Sequence, residues 1–199
     1  MSLHTYNQFI KESVSREFYH GSPFEFKKFS ISNIGSGEGV SKFGYGIYFT
    51  DRLETAQYYA ERNTTGDGWS EGLNVYTVRL LEVSSYLDWN DEAPEHLVNK
   101  LASKLEDLDK EEGAEKLLDE YQEYVSDYGS YSVSNLYNHI SYCLDGDKAA
   151  SEMFVDCWVP GIHTVDEIHG GNIYVAFDDS LIKITNVEKM KLRKPRNLF

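Results

Sequence analysis

The stretch Gly44-Tyr45-Gly46-Ile47-Tyr48-Phe49-Thr50-Asp51 constrains this chain more than any other. Its glycines supply a flexed turn, Ile47 to Phe49 read as a very short strand, and Asp51 stands where a helix N-cap belongs. Residues 52–62 predict a helix, because Leu53, Ala56, Gln57 and Ala60 recur at i, i+3, i+4 and i+7. A strand that feeds straight into a helix lets Tyr48 and Tyr59 converge on one cleft. A second tight unit lies upstream, Phe18-Tyr19-His20-Gly21-Ser22-Pro23. There a strand over 17–20 is expected to end at Gly21, with Pro23 holding Ser22 extended or turning.

The remaining segments fit one domain carrying a helical insertion. Residues 3–15 predict an N-terminal helix or tether with Phe9, Ile10 and Val14 on its apolar side. Phe24, Phe26 and Phe29 are expected to pin the next segment to the core. The loop 30–44 holds Gly35, Gly37, Gly39 and Gly44, a spacing that lets consecutive N–H groups point at one anion; an ordinary surface loop fits it equally well. After a polar connection at 63–72, residues 73–83 alternate as a strand. Two amphipathic helices follow at 94–108 and 110–128, with apolar stripes Leu97, Leu101, Leu105 and Leu117, Leu118, Tyr121, Val125. Helices at 132–144 and 148–159, the latter capped by Asp147, complete the insertion, about 90–159. Short strands are expected at 162–165, 172–177 and 180–186, before a basic tail, 188–199.

Charge and composition exclude several classes. The chain carries −14 overall, and residues 88–127 alone hold fourteen acidic against four basic side chains. Such a chain is a poor electrostatic binder of phosphate backbones, so a macromolecular partner is expected to be protein rather than nucleic acid. The acidic residues of the two helices read as their solvated face. The two cysteines, Cys143 and Cys157, lack ligand company, as do His139, His163 and His169; no metal is expected and a reduced compartment is. No apolar run approaches the roughly 20 residues that span a bilayer, and the N-terminus lacks a signal peptide's apolar core. A cytoplasmic protein is expected, or one delivered into a host cytoplasm by another route. There is no Gly-x-Ser-x-Gly elbow, and His20 and Ser22 are too close in sequence to form a nucleophile–base pair by default.

Together, Tyr19-His20-Gly21-Ser22, the Gly-Ser-Gly-Glu-Gly loop at 35–39, Gly44-Tyr-Gly-Ile-Tyr-Phe49 and Leu87-Asp88-Trp89 resemble ADP-ribosyltransferases of the diphtheria-toxin and poly(ADP-ribose) polymerase type. In finer detail they resemble the bacterial and phage branch appended to large polyvalent proteins. The likeness runs from about Glu17 to Ile184. It implies an α+β fold in which two small antiparallel sheets form a split sandwich around NAD, here with a helical insertion.

Splitting nicotinamide from NAD releases a flat aromatic ring and leaves an oxocarbenium-like ribose. A site therefore needs aromatic walls, a grip on the carboxamide and fixed partners for the ribose hydroxyls. Tyr48 and Tyr59 can wall the ring, Gly21 can present bare backbone, and His20 can bond hydroxyls through a ring nitrogen. The resemblance assigns the same roles: His20, Gly21, Ser22, Tyr48 and Tyr59 to NAD, and a catalytic triad of His20, Tyr48 and Ile173. Two departures stand out. Ala56 occupies the place of a hydroxyl residue that bonds the carboxamide, with Thr55 turned away by the helix. Ile173 occupies the place of the polymerases' glutamate, which implies transfer of a single ADP-ribosyl unit; Asn172 points to the other face by alternation, and Glu167 or Glu38 would have to swing in from loops. Asp166 and Glu167 are adjacent, so the Glu-x-Glu of arginine-specific transferases is not met. The expected activity is mono-ADP-ribosyl transfer from NAD to a macromolecule. An NAD glycohydrolase, or a non-catalytic module that binds NAD or ADP-ribose, are the alternatives.

Overall fold

The computed structural model describes residues 16–34, 42–62 and 73–190. The expectations for residues 3–15, the glycines at 35–39 with Glu38, the connection at 63–72 and the tail beyond Met190 lie outside them. Among the described residues there are seven strands: β1 (Phe18–Ser22), β2 (Ile47–Thr50), β3 (Leu73–Leu80), β4 (Leu87–Asp88), β5 (Gly161–Val165), β6 (Asn172–Ala176) and β7 (Ile182–Met190). Helix α1 (Leu53–Arg62) follows β2. Helices α2 (Glu95–Glu106), α3 (Glu111–Tyr128), α4 (Val133–Cys143) and α5 (Asp147–Asp156) lie between β4 and β5.

The expected α+β architecture is present, with one refinement. The strands make a single sheet in the order β4-β5-β6-β2-β1-β3-β7. Its halves meet only where β1 touches β2, through the single pair Tyr19↔Thr50. On either side the pairing is extensive: β1 runs along β3 from Phe18↔Val78 to Ser22↔Asn74, and β2 along β6 from Ile47↔Ala176 to Thr50↔Ile173. The anticipated split is therefore a one-pair seam within a continuous sheet. Pairing is antiparallel except for β4 beside β5.

Strand alternation gives the sheet two apolar faces. On one, Phe18, Ile47, Phe49, Tyr76, Val78 and Tyr174 gather under Phe29. Phe26 joins them, its ring stacked on Tyr76 at 4.2 Å, whereas Phe24 stays 46% exposed and does not share the pinning role foreseen for it. On the other face Ile162, Val175 and Phe177 meet the insertion, whose stripe Leu97, Leu101 and Leu105 packs with Leu117, Leu136, Ile140 and Phe154.

Three local expectations change. Strand β1 does not stop at Gly21 but runs through it to Ser22. Strand β7 continues past Asn186 to Met190, because β3 offers a paired partner down to Leu73↔Met190. Asp147 is the first residue of α5 rather than its cap, and Ser141 Oγ donates to its carboxylate at 2.6 Å. Ser132 does cap α4, its Oγ accepting from Asn135 N at 3.2 Å.

Candidate active site

His20 sits on β1 beside the seam, with its ring 5.1 Å from that of Phe29 and 5.8 Å from that of Phe49. Its Nδ1 lies 2.8 Å from the backbone oxygen of Tyr48. A carbonyl only accepts, so Nδ1 carries the proton and Nε2 keeps its lone pair. Burial holds the imidazole below its ordinary pKa, opposed by the bond to Tyr48. At neutral pH the ring is thus a neutral, oriented acceptor, and Nε2 has no partner among the described residues. The motif that contains His20 and the motif that contains Tyr48 are joined by this bond across the seam.

Tyr48 is fixed from both ends. Its hydroxyl accepts from Phe43 N at 2.9 Å and donates to Gly44 O at 3.0 Å. Burial drives its pKa far above the ordinary phenol range. The hydroxyl is therefore committed to holding the turn before β2, and the ring face is what remains for a ligand. The turn itself needs Gly44, whose φ is 97° and whose place leaves no room for a Cβ beside the Tyr137 ring. From α4, the Tyr137 hydroxyl accepts from Tyr45 N at 3.0 Å and donates to Asp147 O at 2.7 Å.

Ile173 lies on the neighbouring strand. Register places Tyr48 opposite Val175 and Thr50 opposite Ile173, so Tyr48, Thr50, Val175 and Ile173 share one face. Ile173 is half-buried and packs with Tyr48 against the insertion-side core. Asn172, one residue earlier, is occupied elsewhere: Asp51 accepts from its N at 2.8 Å and from its Nδ2 at 2.6 Å.

Gly21 has a different environment from the one its motif suggested. A Cβ there would stand 1.9 Å from Ala56 O and 2.7 Å from Ala60 N, both backbone atoms of α1. The missing side chain lets the helix lie directly on β1; the space it frees is filled by the chain itself. Ser22 is buried, and its Oγ accepts from Phe24 N at 3.1 Å, closing the turn after β1. Ala56 is buried under this contact and Thr55 beside it is buried too. Tyr59 is partly exposed on α1, and its ring meets Tyr58 at 5.5 Å and His169 at 5.3 Å.

That contact draws in His169 and Asp166, to which the sequence assigns no site role. Asp166, buried at the end of β5, accepts at Oδ1 from the backbone N of Ile168 and of His169, each at 3.0 Å. His169 Nδ1 lies 3.1 Å from its Oδ2. Arg52 Nη1 donates to His169 O at 3.3 Å. The β5–β6 turn is thereby closed on itself and carries His169 to Tyr58 and Tyr59. An Asp followed three residues later by His before Gly170-Gly171 is the signal that was available. Asp51 also departs from expectation. It does not cap α1; besides Asn172 it takes Arg16 Nη2 at 3.0 Å. Burial raises its pKa, but the two bonds from Asn172 and the Arg16 charge outweigh this and hold it below the usual carboxylate range.

Glu167 is exposed on the β5–β6 turn. His139 is buried rather than idle, with Nε2 3.0 Å from Gly113 O and Nδ1 3.0 Å from Glu120 Oε2. Among the described residues no group of three or more His, Cys, Asp or Glu is placed to hold a metal ion, and no helix is long and apolar enough to cross a membrane.

Comparison with known families agrees with the fold. The family model described as ADP-ribosyltransferase in polyvalent proteins matches residues 15–189. No curated protein and no solved structure matches the chain significantly. The match spans β1 through most of β7, including the His20 and Tyr48 motifs, the seam that joins them and the helical insertion: the chain belongs to the ADP-ribosyltransferase family of polyvalent proteins.

Proposed function

We propose that the chain transfers a single ADP-ribosyl group from NAD to a macromolecule and releases nicotinamide. The glycosidic bond between ribose C1′ and the nicotinamide nitrogen breaks, and its electron pair neutralises the pyridinium. The acceptor's nucleophile then bonds to C1′ and gives up its proton. The observation that carries this reading is the bond at 2.8 Å from His20 Nδ1 to the backbone oxygen of Tyr48, which fixes the imidazole as a neutral acceptor for a ribose hydroxyl. Tyr48 and Tyr59 would flank the nicotinamide. Gly21 and Ser22 would contribute backbone, since the first has no side chain and that of the second is buried.

Ile173 argues for single transfer. It offers no hydrogen bond to the ribose 2′-hydroxyl and cannot polarise that hydroxyl as the acceptor in chain extension. The same residue supports a second reading, in which water takes the ribosyl cation or turnover is absent and NAD is only bound. Net charge favours a protein acceptor over nucleic acid.

The test is nicotinamide release from NAD labelled in its adenylate, with and without bacterial lysate, beside a His20→Ala variant checked for folding. Label entering a macromolecule, lost in the variant, supports transfer. Free labelled ADP-ribose alone supports the glycohydrolase. No release, together with no NAD binding by calorimetry, overturns both.

A further inference from the structure

ADP-ribosyl transfer frees a proton from the acceptor, and neither Ile173 nor His20 is free to take it. Ile173 is apolar, and His20 would serve a ribose hydroxyl. The β5–β6 turn holds another base. Asp166 is buried at its foot, and the side chain of His169 stands above it, 19% exposed. As a carboxylate Asp166 only accepts, so His169 Nδ1, 3.1 Å from Oδ2, carries the ring proton and Nε2 keeps its lone pair. Nε2 has no hydrogen-bond partner among the described residues. Closing the turn needs only the bonds from Ile168 N and His169 N to Asp166 Oδ1, each at 3.0 Å. The bond to Oδ2 adds something else: it sets the tautomer and restrains the ring, as a histidine that must take a proton requires.

Register places this imidazole on the face that carries Tyr48 and Ile173. Tyr19 pairs with Thr50 and Thr50 with Ile173, so Gly21, Tyr48, Thr50 and Ile173 share one side of the sheet. Helix α1 lies on that side, where a Cβ at Gly21 would strike the backbone of Ala56 and Ala60. The turn folds onto the same helix. The His169 ring meets those of Tyr58 at 4.6 Å and Tyr59 at 5.3 Å, and Arg52 Nη1 donates to its backbone oxygen. His169 is therefore in contact with the expected nicotinamide wall and lies four residues before Ile173. Glu167, on the same turn, is exposed, and no bond among the described residues orients it.

We propose, resting on the transfer reading and on Tyr59 as a wall of the nicotinamide site, that His169 is the general base and that the acceptor is a protein hydroxyl, from serine, threonine or tyrosine. As the bond from C1′ to the nicotinamide nitrogen breaks, its electron pair stays with the nitrogen. A lone pair of the acceptor oxygen bonds to C1′, and the hydroxyl proton passes to His169 Nε2. The imidazolium, its Nδ1–H still donated to Asp166, then returns that proton to water. The base selects the acceptor class. A carboxylate arrives without a proton and needs no base, and a guanidinium holds its proton too tightly for an imidazole to remove. A hydroxyl is a weak nucleophile until a neighbouring base accepts its proton.

The experiment follows label from adenylate-labelled NAD into the proteins of a bacterial lysate, using the full chain, His169→Ala and His169→Asn, each checked by thermal melting. Asparagine can still donate to Asp166 through Nδ2 but cannot take a proton. Both variants are expected to lose about 100-fold in label transfer, while NAD affinity by calorimetry stays within about threefold. Added imidazole should restore part of the transfer by His169→Ala, which a histidine with a purely structural role would not allow. The labelled linkage should survive neutral hydroxylamine, which cleaves ester and guanidino linkages, and mercuric ion, which cleaves thioglycosidic ones. Parent-like transfer by His169→Asn, or a linkage cleaved by either reagent, overturns the proposal and leaves transfer itself standing. A parent chain that releases no nicotinamide overturns the transfer reading, and the role of His169 with it.

Discussion

Replacing Gly21 with alanine separates two explanations of the same glycine. If Gly21 is bare so that a ligand can approach, the variant loses NAD binding and keeps its stability. The structure argues the reverse order of effects. The new Cβ would lie 1.9 Å from Ala56 O and 2.7 Å from Ala60 N, and neither is the movable end of a side chain. Restoring ordinary contact at 3.4 Å would lift α1 from β1 by about 1.5 Å. That movement loosens Thr55, Ala56 and Ala60, the buried residues of the helix itself. Overpacking of this kind costs about 1–3 kcal/mol, and rigid backbone on both contacts puts the cost near the upper end. Removing a glycine from a strand returns roughly 0.5–1 kcal/mol. The net loss is about 2 kcal/mol, or a fall in melting temperature of roughly 4–8 °C for a chain of this size. Thermal melts and urea titrations of the two proteins measure it directly. Because α1 carries Tyr59, NAD binding should weaken as well, but only alongside the loss of stability. An unchanged melting temperature in a variant that no longer binds NAD would refute the close-approach argument and return Gly21 to the ligand.

Three further outcomes are expected. Ile173→Glu should raise NAD hydrolysis by about tenfold or more by adding a partner for the ribose 2′-hydroxyl; flat or reduced release in a folded variant would remove Ile173 from the site. The folded-state pKa of Asp51 is depressed, so its stabilisation is fully present above roughly pH 4 and fades as pH falls through the folded value. Asp51→Asn should therefore cost roughly 1–2 kcal/mol at neutral pH, after allowance for partial exposure, and flatten the acid limb of the stability curve; an acid limb identical to the parent's would show that the clamp on Asn172 is not what titrates. His20, also depressed, should stay neutral as pH falls through about 6.5, so NAD binding should hold level there and decline only at lower pH. An apparent pKa at or above 6.5, assigned by its loss in His20→Ala, would contradict the buried, Tyr48-bonded imidazole.

Much of this fold was legible because its information is local. The stripes Leu97-Leu101-Leu105 and Leu136-Ile140 announce helices within a few turns of chain, and the Ser132 cap needs only Asn135 three residues away. The link between His20 and Tyr48 was also reachable, since each motif states its own strand and only their meeting had to be inferred. Readings failed where a partner came from far along the chain. Asp51 sits in a good capping position, yet its carboxylate is captured by Asn172, 121 residues on. Gly21 looks like a turn until α1 is laid across it. The outer part of β7, with its Glu188 and Lys189, has no half-buried alternation to reveal it, because its hydrogen bonds to β3 rather than its burial define the strand. The bonds from His139 to Glu120 and Gly113 depend on how α3 and α4 pack, which their separate periodicities do not state.

The β4–β5 pairing has a consequence for how this family module can be trimmed or transplanted. Leu87 and Asp88 run parallel to Ile162 and His163, and strands so arranged cannot be joined by a tight hairpin. The chain must leave one end of the sheet and return to the other, and α2 to α5 are the path it takes. The four helices are therefore the link itself and not a decoration hung on a pre-existing loop. Cutting from Trp89 to Pro160 and sealing the gap with a few glycines would force β4 out of the sheet and leave Ile162, Val175 and Phe177 bare. A minimal version of the module must keep at least one helix spanning that return.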